Sequence, residues 1–578
     1  ALPISSLLEK YINDNLPDNN KPVDEKDLIK CINVVIEFCI GIKEIEFLFK
    51  NGENSFRKKG KNDLFYKLLE PFIFNDLLIN ELISEDSLIS LYTSYKSSKS
   101  LTILQHLFTH LNYICLNTST IKKIAFKENL FSLMILIFSN CKGYQNFFLP
   151  IAKMYKVFEE KIKEKEKYEF KSYVDTFGND DIKGINLMEE STEYIGHKLL
   201  WYIDMSLKGK KFSLGMDVNL LKFDKESKDY EYFVALIYFW IVQENIFLNL
   251  IKFDSYSFLN ILSLFYSDST LLNIIKSFDF NQFSESMIAK LSDEKEIKFL
   301  KDIKAQPPID STNPSVPSTE ADNAPKKQTL DYNNILAVIN HIIQITQNIS
   351  DFFINIDLSI FIIKFAFRYS EKTPLPAAFK KKVTECFKKC LTFYDEYNKL
   401  KETSPNEVKD IFNCHKVNKL SEIKTKNFFF NEIYRALRDL IDSNYKWKKD
   451  DLNSIIEIGK NSPYTLVIIR LYEYIKNFGE VLNCYLNTDN NIEFQSEDVF
   501  AWLQRMFQSF SRKNEDLNEI DFKNLQQTVV DNVSKLAKLS LTKTNKIIKQ
   551  FYTNDQKIII IHKLDDAPLL QYEFIKQL

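Results

Sequence analysis

Apolar residues recur along almost the whole chain at the spacing of a helix face, three or four positions apart. In SEDVFAWLQRMFQSF, Val499, Leu503, Met506 and Phe510 share one face, which Trp502 and Phe507 widen. Ser496, ahead of Glu497 and Asp498, predicts an N-cap with acidic residues in the electropositive first turn. Ser84, Glu85 and Asp86 predict the same kind of start before Leu88, Ile89, Leu91 and Tyr92. Leu130 to Phe138 is apolar nearly all round, as in a helix sandwiched between neighbours. Ile558 to Ile561 is a β-branched run open to a strand reading. Its helical flanks and lack of a partner strand favour a buried helix.

The last quarter predicts short helices over about Phe522 to Leu541, Thr542 to Tyr552, Asp555 to Leu564 and Pro568 to Leu578. None is long enough to bury its apolar face alone, so neighbours must stack. The fold class expected is therefore all-α: an elongated α-solenoid of stacked helical hairpins, with a unit of roughly 30–40 residues and no strict sequence period. Ala305 to Gln328, AQPPIDSTNPSVPSTEADNAPKKQ, interrupts the pattern with five prolines and no aromatic residue or leucine. It cannot bury enough apolar surface to offset its ordering entropy and is expected to be a disordered loop. The expected organisation is 1–304 as the N-terminal part of the solenoid, 305–329 as the loop and 330–578 as the C-terminal part. Glu159 to Lys171, EEKIKEKEKYEFK, has the mixed charge of a solvated helix.

Composition narrows the function. The chain has 578 residues and only 11 glycines, against a usual share of roughly 7%. Glycine supplies the positive-φ positions of hairpins, tight turns and phosphate loops, so few such turns are expected. The formal charge of -2 gives no general field for nucleic acid or an anionic membrane. Eight cysteines without a closely spaced framework suit a reducing compartment. The start, ALPISSLLEKYINDN, lacks a signal-peptide pattern, and Ala1 rather than Met is what a fragment would show. The longest uncharged apolar block, Phe233 to Val242, is well short of the ~18 residues of a membrane span, so a soluble protein is expected.

Catalytic motifs are missing. There is no GxxxxGK[ST] loop: the spacings from Gly52 to Gly60 and from Gly209 to Gly215 do not fit, and neither GxGxxG nor GxSxG occurs. His106 and His110 lie one helical turn apart, the spacing of two imidazoles on one cation, but no HExxH glutamate accompanies them. Cys386 and Cys390 have the same spacing, Cys414 adjoins His415, and no CxxC pair exists. Packed cysteines and histidines on helix faces are the favoured reading, and His197 in GHKLLWY is read the same way. The basic clusters FRKKGK (56–61), FKKK (379–382) and KWKK (446–449) could meet acidic lipid headgroups or an acidic partner, but a solvated surface is the plainer reading. Asp180 and Asp181 carry no signal by themselves. No catalytic, cofactor-binding or metal residue is assigned, no cofactor is expected, and the chain is read as no enzyme.

A more specific signal lies in the order of several segments. LLEPFIFNDLL (68–78) precedes LQHLFTHLNYICLN and IKKIAFKENLFSLMILIFSNCKGYQNFFLPI (121–151). GHKLLWYIDMSLKGKKFSLG (196–215) and FDSYSFLNIL (253–262) follow. GEVLNCYL (479–486), EDVFAWLQR (497–505), LTKTNKIIKQFY (541–552) and LDDAPLLQYEFIKQL (564–578) close the series. This succession resembles the central region of the vacuolar protein sorting-associated protein 8 family, and its last blocks resemble that family's clathrin-heavy-chain-type repeats. The stretch from about Ser267 to Asn444 matches by position only.

That resemblance implies a non-enzymatic scaffold subunit of CORVET, the early-endosome tethering complex, acting in vesicle tethering before fusion and in endosome-to-vacuole or endosome-to-lysosome transport. It implies class C core tether subunits as partners, together with the early-endosomal Rab GTPase in its GTP form. The family's N-terminal propeller and C-terminal RING are not seen in this sequence, so the Rab contact is expected outside this chain, and the RING's zinc ligands have no counterparts here. No nucleic acid is expected, and the localisation implied is cytoplasmic, peripheral on early endosome membranes through partners. The alternatives are another propeller-plus-solenoid tether subunit of the HOPS type and a HEAT-like transport adaptor binding cargo peptides.

Overall fold

The computed structural model describes residues 4–15, 24–78, 83–112, 115–141, 143–164, 192–210, 223–283, 330–370, 373–403, 422–443, 445–460, 462–487, 498–511 and 519–577. Among these residues every regular element is a helix, as the periodicity predicts, and none is a strand. The chain divides into two compact units at Ile349 and Ser350. The segment Ala305 to Gln328 lies outside the described residues.

The first unit begins with α1 (Ile4–Asn15), α2 (Glu25–Gly41), α3 (Ile45–Phe47), α4 (Glu53–Lys58), α5 (Asn62–Phe74), α6 (Glu85–Ser97), α7 (Leu101–Thr109) and α8 (Thr118–Lys127). It continues with α9 (Phe131–Ser139), α10 (Tyr144–Glu164), α11 (Thr192–Leu207), α12 (Lys228–Ile241), α13 (Glu244–Phe253), α14 (Ser255–Ser267), α15 (Ser269–Ser277) and α16 (Ile335–Ile345). A π-helical turn, Leu48–Gly52, joins α3 to α4. Packing follows chain order. Helix α6 lies against α7 and α8, α7 against α9, α9 against α8 and α10, and α10 against α11 and α12. Each helix is thus covered mainly by its chain neighbour and by the helix one or two places further, the arrangement of an α-solenoid.

Helix α9 is the clearest case. Every residue from Phe131 to Ser139 is buried, so a nine-residue segment apolar on all sides is enclosed by α7, α8 and α10. Ser84 caps α6 by accepting from the Ser87 amide at 3.2 Å, as the sequence predicts. Glu159 to Glu164 forms the outer end of α10, and the rest of the mixed-charge run lies outside the described residues. Among the described helices no single one is long and apolar enough to cross a membrane. The pairs α12–α13 and α14–α15 are long enough together, but they bend by 81° and 77°. Their apolar residues, from Phe233 to Ile241 and from Phe258 to Phe265, face neighbouring helices.

One joint recurs between the helices. Lys43, Gly60, Asp76, Lys99, Asn129, Gly209 and Lys476 all follow a helix end with φ between 55° and 75°. In each case the next amide reaches back five residues. Lys61 N donates to Phe56 O at 2.9 Å, Leu77 N to Phe72 O at 3.0 Å, Ser100 N to Tyr95 O at 2.9 Å and Leu130 N to Ala125 O at 2.9 Å. This is the left-handed turn that satisfies the last carbonyls of a helix and sends the chain back along it. Glycine holds two of these seven places and Lys, Asp or Asn the other five, although a side chain there costs about 1 kcal/mol. The scarcity of glycine therefore does not mean that such turns are scarce; other residues make them.

The second unit contains α17 (Phe352–Ser370), α18 (Ala377–Thr403), α19 (Glu422–Ile441), α20 (Lys449–Gly459), α21 (Thr465–Tyr474) and α22 (Phe478–Asn487). After these come α23 (Val499–Ser511), α24 (Glu519–Asp531), α25 (Val533–Leu539), α26 (Leu541–Phe551), α27 (Asn554–His562) and α28 (Pro568–Gln577). Helix α17 is the enclosed element, packed on α18 and α19, and stacking then proceeds from α19 to α21, from α22 to α24 and from α26 to α28. Three details differ from the expectations. The helix expected over Phe522 to Leu541 breaks at Asn532, whose amide side chain donates to the Thr528 carbonyl at 3.0 Å and competes with the helical backbone. The break turns Val533, Leu536 and Ala537 into the core. The run Ile558 to Ile561 is helical but not buried: Ile558 and Ile559 are more than half exposed, and only Ile560 is enclosed. At α23, Val499, Leu503, Met506, Trp502 and Phe507 are buried as expected, while Phe510 is half-buried. The described cap there is Asp498, which accepts from the Ala501 amide at 2.7 Å, and Ser496 lies outside the described residues.

Glu473 ties α21 to α23. One carboxylate oxygen accepts from the Trp502 indole at 2.6 Å and from Arg505 at 3.0 Å; the other accepts from Arg470 at 2.8 Å. Trp502 is fully enclosed, so removing the carboxylate strands a buried donor, which costs about 1–3 kcal/mol. Glu473→Ala is expected to lower the melting temperature of the second unit by several degrees, about 2–8 °C on that scale, and differential scanning calorimetry checks it; an unchanged transition would contradict this role.

Candidate functional site

Two of the candidate histidines, His110 and His197, each face an aspartate at a helix end. Helix α5 ends at Asn75 and Asp76, where the Asn75 amide donates to the Pro71 carbonyl at 2.7 Å and Asp76 takes the left-handed conformation. That turn aims the Asp76 carboxylate at His110 Nδ1, 3.0 Å away at the end of α7, while the Phe74 ring meets the imidazole edge-on at 5.4 Å. In the same block, Glu70 accepts from the Tyr95 hydroxyl of α6 at 2.5 Å. The leucine–glutamate–proline and asparagine–aspartate positions thus join α5 to α6 and α7.

His106 lies one turn earlier on α7 and is half-buried. Burial pushes its pKa down, and the positive charges of Lys198 and of His110 push it further, so its neutral form is favoured. Gln105 beside it accepts from the Ser132 amide at 3.0 Å and so caps α9. The two histidines therefore have different tasks. Among the described residues no group of three His, Cys, Asp or Glu side chains is placed to hold a metal ion.

His197 has a similar arrangement. Its Nδ1 is 3.6 Å from the Asp254 carboxylate, and its ring lies 4.6 Å from that of Phe253. Asp254 is itself the N-cap of α14, accepting from the Ser257 amide at 3.0 Å. The adjoining Gly196 permits the approach of α11 to its neighbours. A methyl group added there would sit 2.9 Å from the Phe158 ring and closer still to Phe253. GHKLLWY and FDSYSF, far apart in sequence, thus form one joint between α11, α13 and α14.

Cys386 and Cys390 lie in the core on α18. Burial raises the Cys386 thiol to about 11 and that of Cys390 well above its usual value, which removes thiolate character. Cys414, His415, Asp180 and Asp181 lie outside the described residues. The basic clusters divide. FRKKGK is the end of α4: Arg57 bonds to Asn54, Gly60 adopts φ 64° and the lysines surround the electronegative helix terminus. FKKK and KWKK meet, since the Lys380 ammonium donates to the Lys446 carbonyl at 3.2 Å. Sequence reasoning missed Asp76 and Asp254 as the histidines' partners. The turn dipeptide Asn75–Asp76 and the capping pattern Asp254–Ser255–Tyr256–Ser257 were the available signals.

The Gly196 joint gives a sharp test. Alanine is normally the better helix residue by about 1 kcal/mol, yet overpacking against two enclosed rings costs about 1–3 kcal/mol. Gly196→Ala is expected to lower the melting temperature of the first unit, whereas Gly41→Ala, where no atom lies within 4 Å of the added methyl, is expected to leave it unchanged or raise it. Equal effects at the two positions, measured by calorimetry, would contradict the close-approach account.

Residues 64–237, which run from α5 through most of α12, match the protein family described as Vps8 central TPR. No curated protein and no solved structure matches the chain. The match takes in the α5 turn, the enclosed α9 and the Gly196 contact, three of the joints on which this part of the stack rests. Residues 64–237 are thus a Vps8-family central region.

Proposed function

We propose that the chain is a scaffold subunit of an endosomal tether of the CORVET type, acting in vesicle tethering before fusion and without catalysis of its own. The observation that carries the reading is the Vps8 central TPR match over residues 64–237, set in a stack of helices. The engagement of His110, His197, Cys386 and Cys390 in joints and core supports it. Stacked helices hold side chains in fixed order over a long surface, which suits a subunit that binds several partners at once and gains avidity from their number. The partners proposed are the class C core tether subunits, with the GTP-bound early-endosomal Rab contacted through a region outside this chain. The site of action proposed is the cytoplasmic face of early endosomes.

A pull-down tests the reading directly. The purified chain, immobilised, is expected to retain class C core subunits from a purified mixture and to leave the GTP-loaded Rab in the flow-through. Failure to retain any class C subunit would contradict the tether assignment. Retention of the Rab by the chain alone would overturn the placement of that contact.

A further inference from the structure

Two lysine clusters separated by more than sixty positions in sequence form one surface in the second unit. The first turn of α18 supplies Lys380 and Lys381, and Lys388 follows two turns later on the same edge of the helix. The segment leading into α20 supplies Lys446, Lys448 and Lys449. It is fastened to α18 at three points. The Lys380 ammonium donates to the Lys446 carbonyl and stands 5.7 Å from the centre of the Tyr445 ring. The Trp447 ring packs edge-on against Phe387 at 5.3 Å and against Tyr445 at 4.6 Å. The aromatic pair is thus the anchor, and it leaves the flanking lysines outward: Lys381, Lys446, Lys448 and Lys449 are exposed, and Lys380 and Lys388 half-buried.

Nearby carboxylates do not cancel this charge. Glu385 is held by Lys382 at 3.3 Å. Asp450 and Asp451, in the first turn of α20, reduce the charge of the six lysines by two and leave a net excess of about four, with the electropositive helix terminus adding about half a charge. Every cation of the patch is lysine. Arginine's planar fork suits discrete carboxylates and phosphates, whereas lysine presents a mobile point charge on a flexible stem. A set of such charges fits a fluid anionic surface better than one fixed acidic segment.

We propose that Lys380, Lys381, Lys388, Lys446, Lys448 and Lys449 form a docking surface for an anionic bilayer. The attraction is electrostatic and shallow, with no insertion, so it holds the unit at the membrane only while salt is low enough for the field to reach the headgroups. This surface stands on the geometry of α18 and α20, independently of the partners assigned to the tether.

Vesicle flotation with the full chain tests it. Vesicles of phosphatidylcholine with phosphatidylserine are expected to carry the chain upward, and vesicles of phosphatidylcholine alone are not. Raising salt from 0.1 M to 1 M shortens the screening length from about 10 Å to about 3 Å and is expected to release it. The variant K381Q/K388Q/K448Q/K449Q spares the Lys380 anchor and is expected to lower the partition coefficient by roughly several hundred-fold, since each of the four lysines near such a surface contributes roughly five-fold. An equal loss of charge at the exposed Lys58, Lys61, Lys123 and Lys127, which belong to the first unit and not to the six lysines proposed, is expected to leave binding within about two-fold. No flotation of the unmodified chain, or equal losses in the two variants, would overturn the proposal. So would a patch variant that still floats but loses an acidic protein partner. Class C retention by the patch variant, read in parallel, keeps this outcome separate from that of the tether reading.

Discussion

The structure depends on one constraint: helices of about ten residues cannot bury an apolar face unless the next helix returns to cover it. The left-handed turn after a helix end is what brings that helix back. Lys43, Asp76, Lys99, Asn129 and Lys476 accept an unfavourable φ at these places, and the burial gained on either side outweighs it. Where the turn has placed two helices together, a few specific contacts fix their relation. Glu473 reaches Trp502, Gln105 caps α9, and Asp254 both caps α14 and faces His197. Among the described residues these polar contacts are the chemistry of joints.

This explains why side chains that look reactive in sequence are not assembled for reaction. An aspartate beside a histidine is a common arrangement for proton transfer. Here Asp76 belongs to the turn that ends α5 and Asp254 to the cap that starts α14. The Asp254 carboxylate already serves the backbone, the Asp76 carboxylate is carried by its turn, and in each case the histidine is the neighbouring element's point of attachment. The cysteines of α18 are simply small apolar side chains with their thiols raised by burial. Among the described residues these polar side chains serve the stack, and the lysines of α18 and α20 lie along an exposed edge of it.

Much of the fold was legible in the sequence because helical periodicity is local. The enclosed α9 announces itself by nine consecutive non-charged residues, and Ser84 by its capping pattern. The short Asn532 break was not legible, because it turns on one side chain bonding back to Thr528 within an otherwise continuous helical pattern. Ile558 and Ile559 mislead for a different reason: apolarity predicts burial only if a neighbouring helix covers that face, and among the described residues none does. The pairing of FKKK with KWKK was beyond sequence reasoning altogether, since it depends on how α18 and α20 pack. The ordered blocks between residues 64 and 237 carried the family resemblance through their succession, since each by itself consists mainly of packing residues.

The central claim is that stability within each unit is shared between adjacent helices rather than held by one common core. Native-state hydrogen exchange in rising denaturant tests it most directly. The account predicts separate opening isotherms, with the amides of α27 and α28 released first in the second unit and those of the enclosed α17 last. A single isotherm, with all amides of that unit exchanging together at every denaturant concentration, would contradict it.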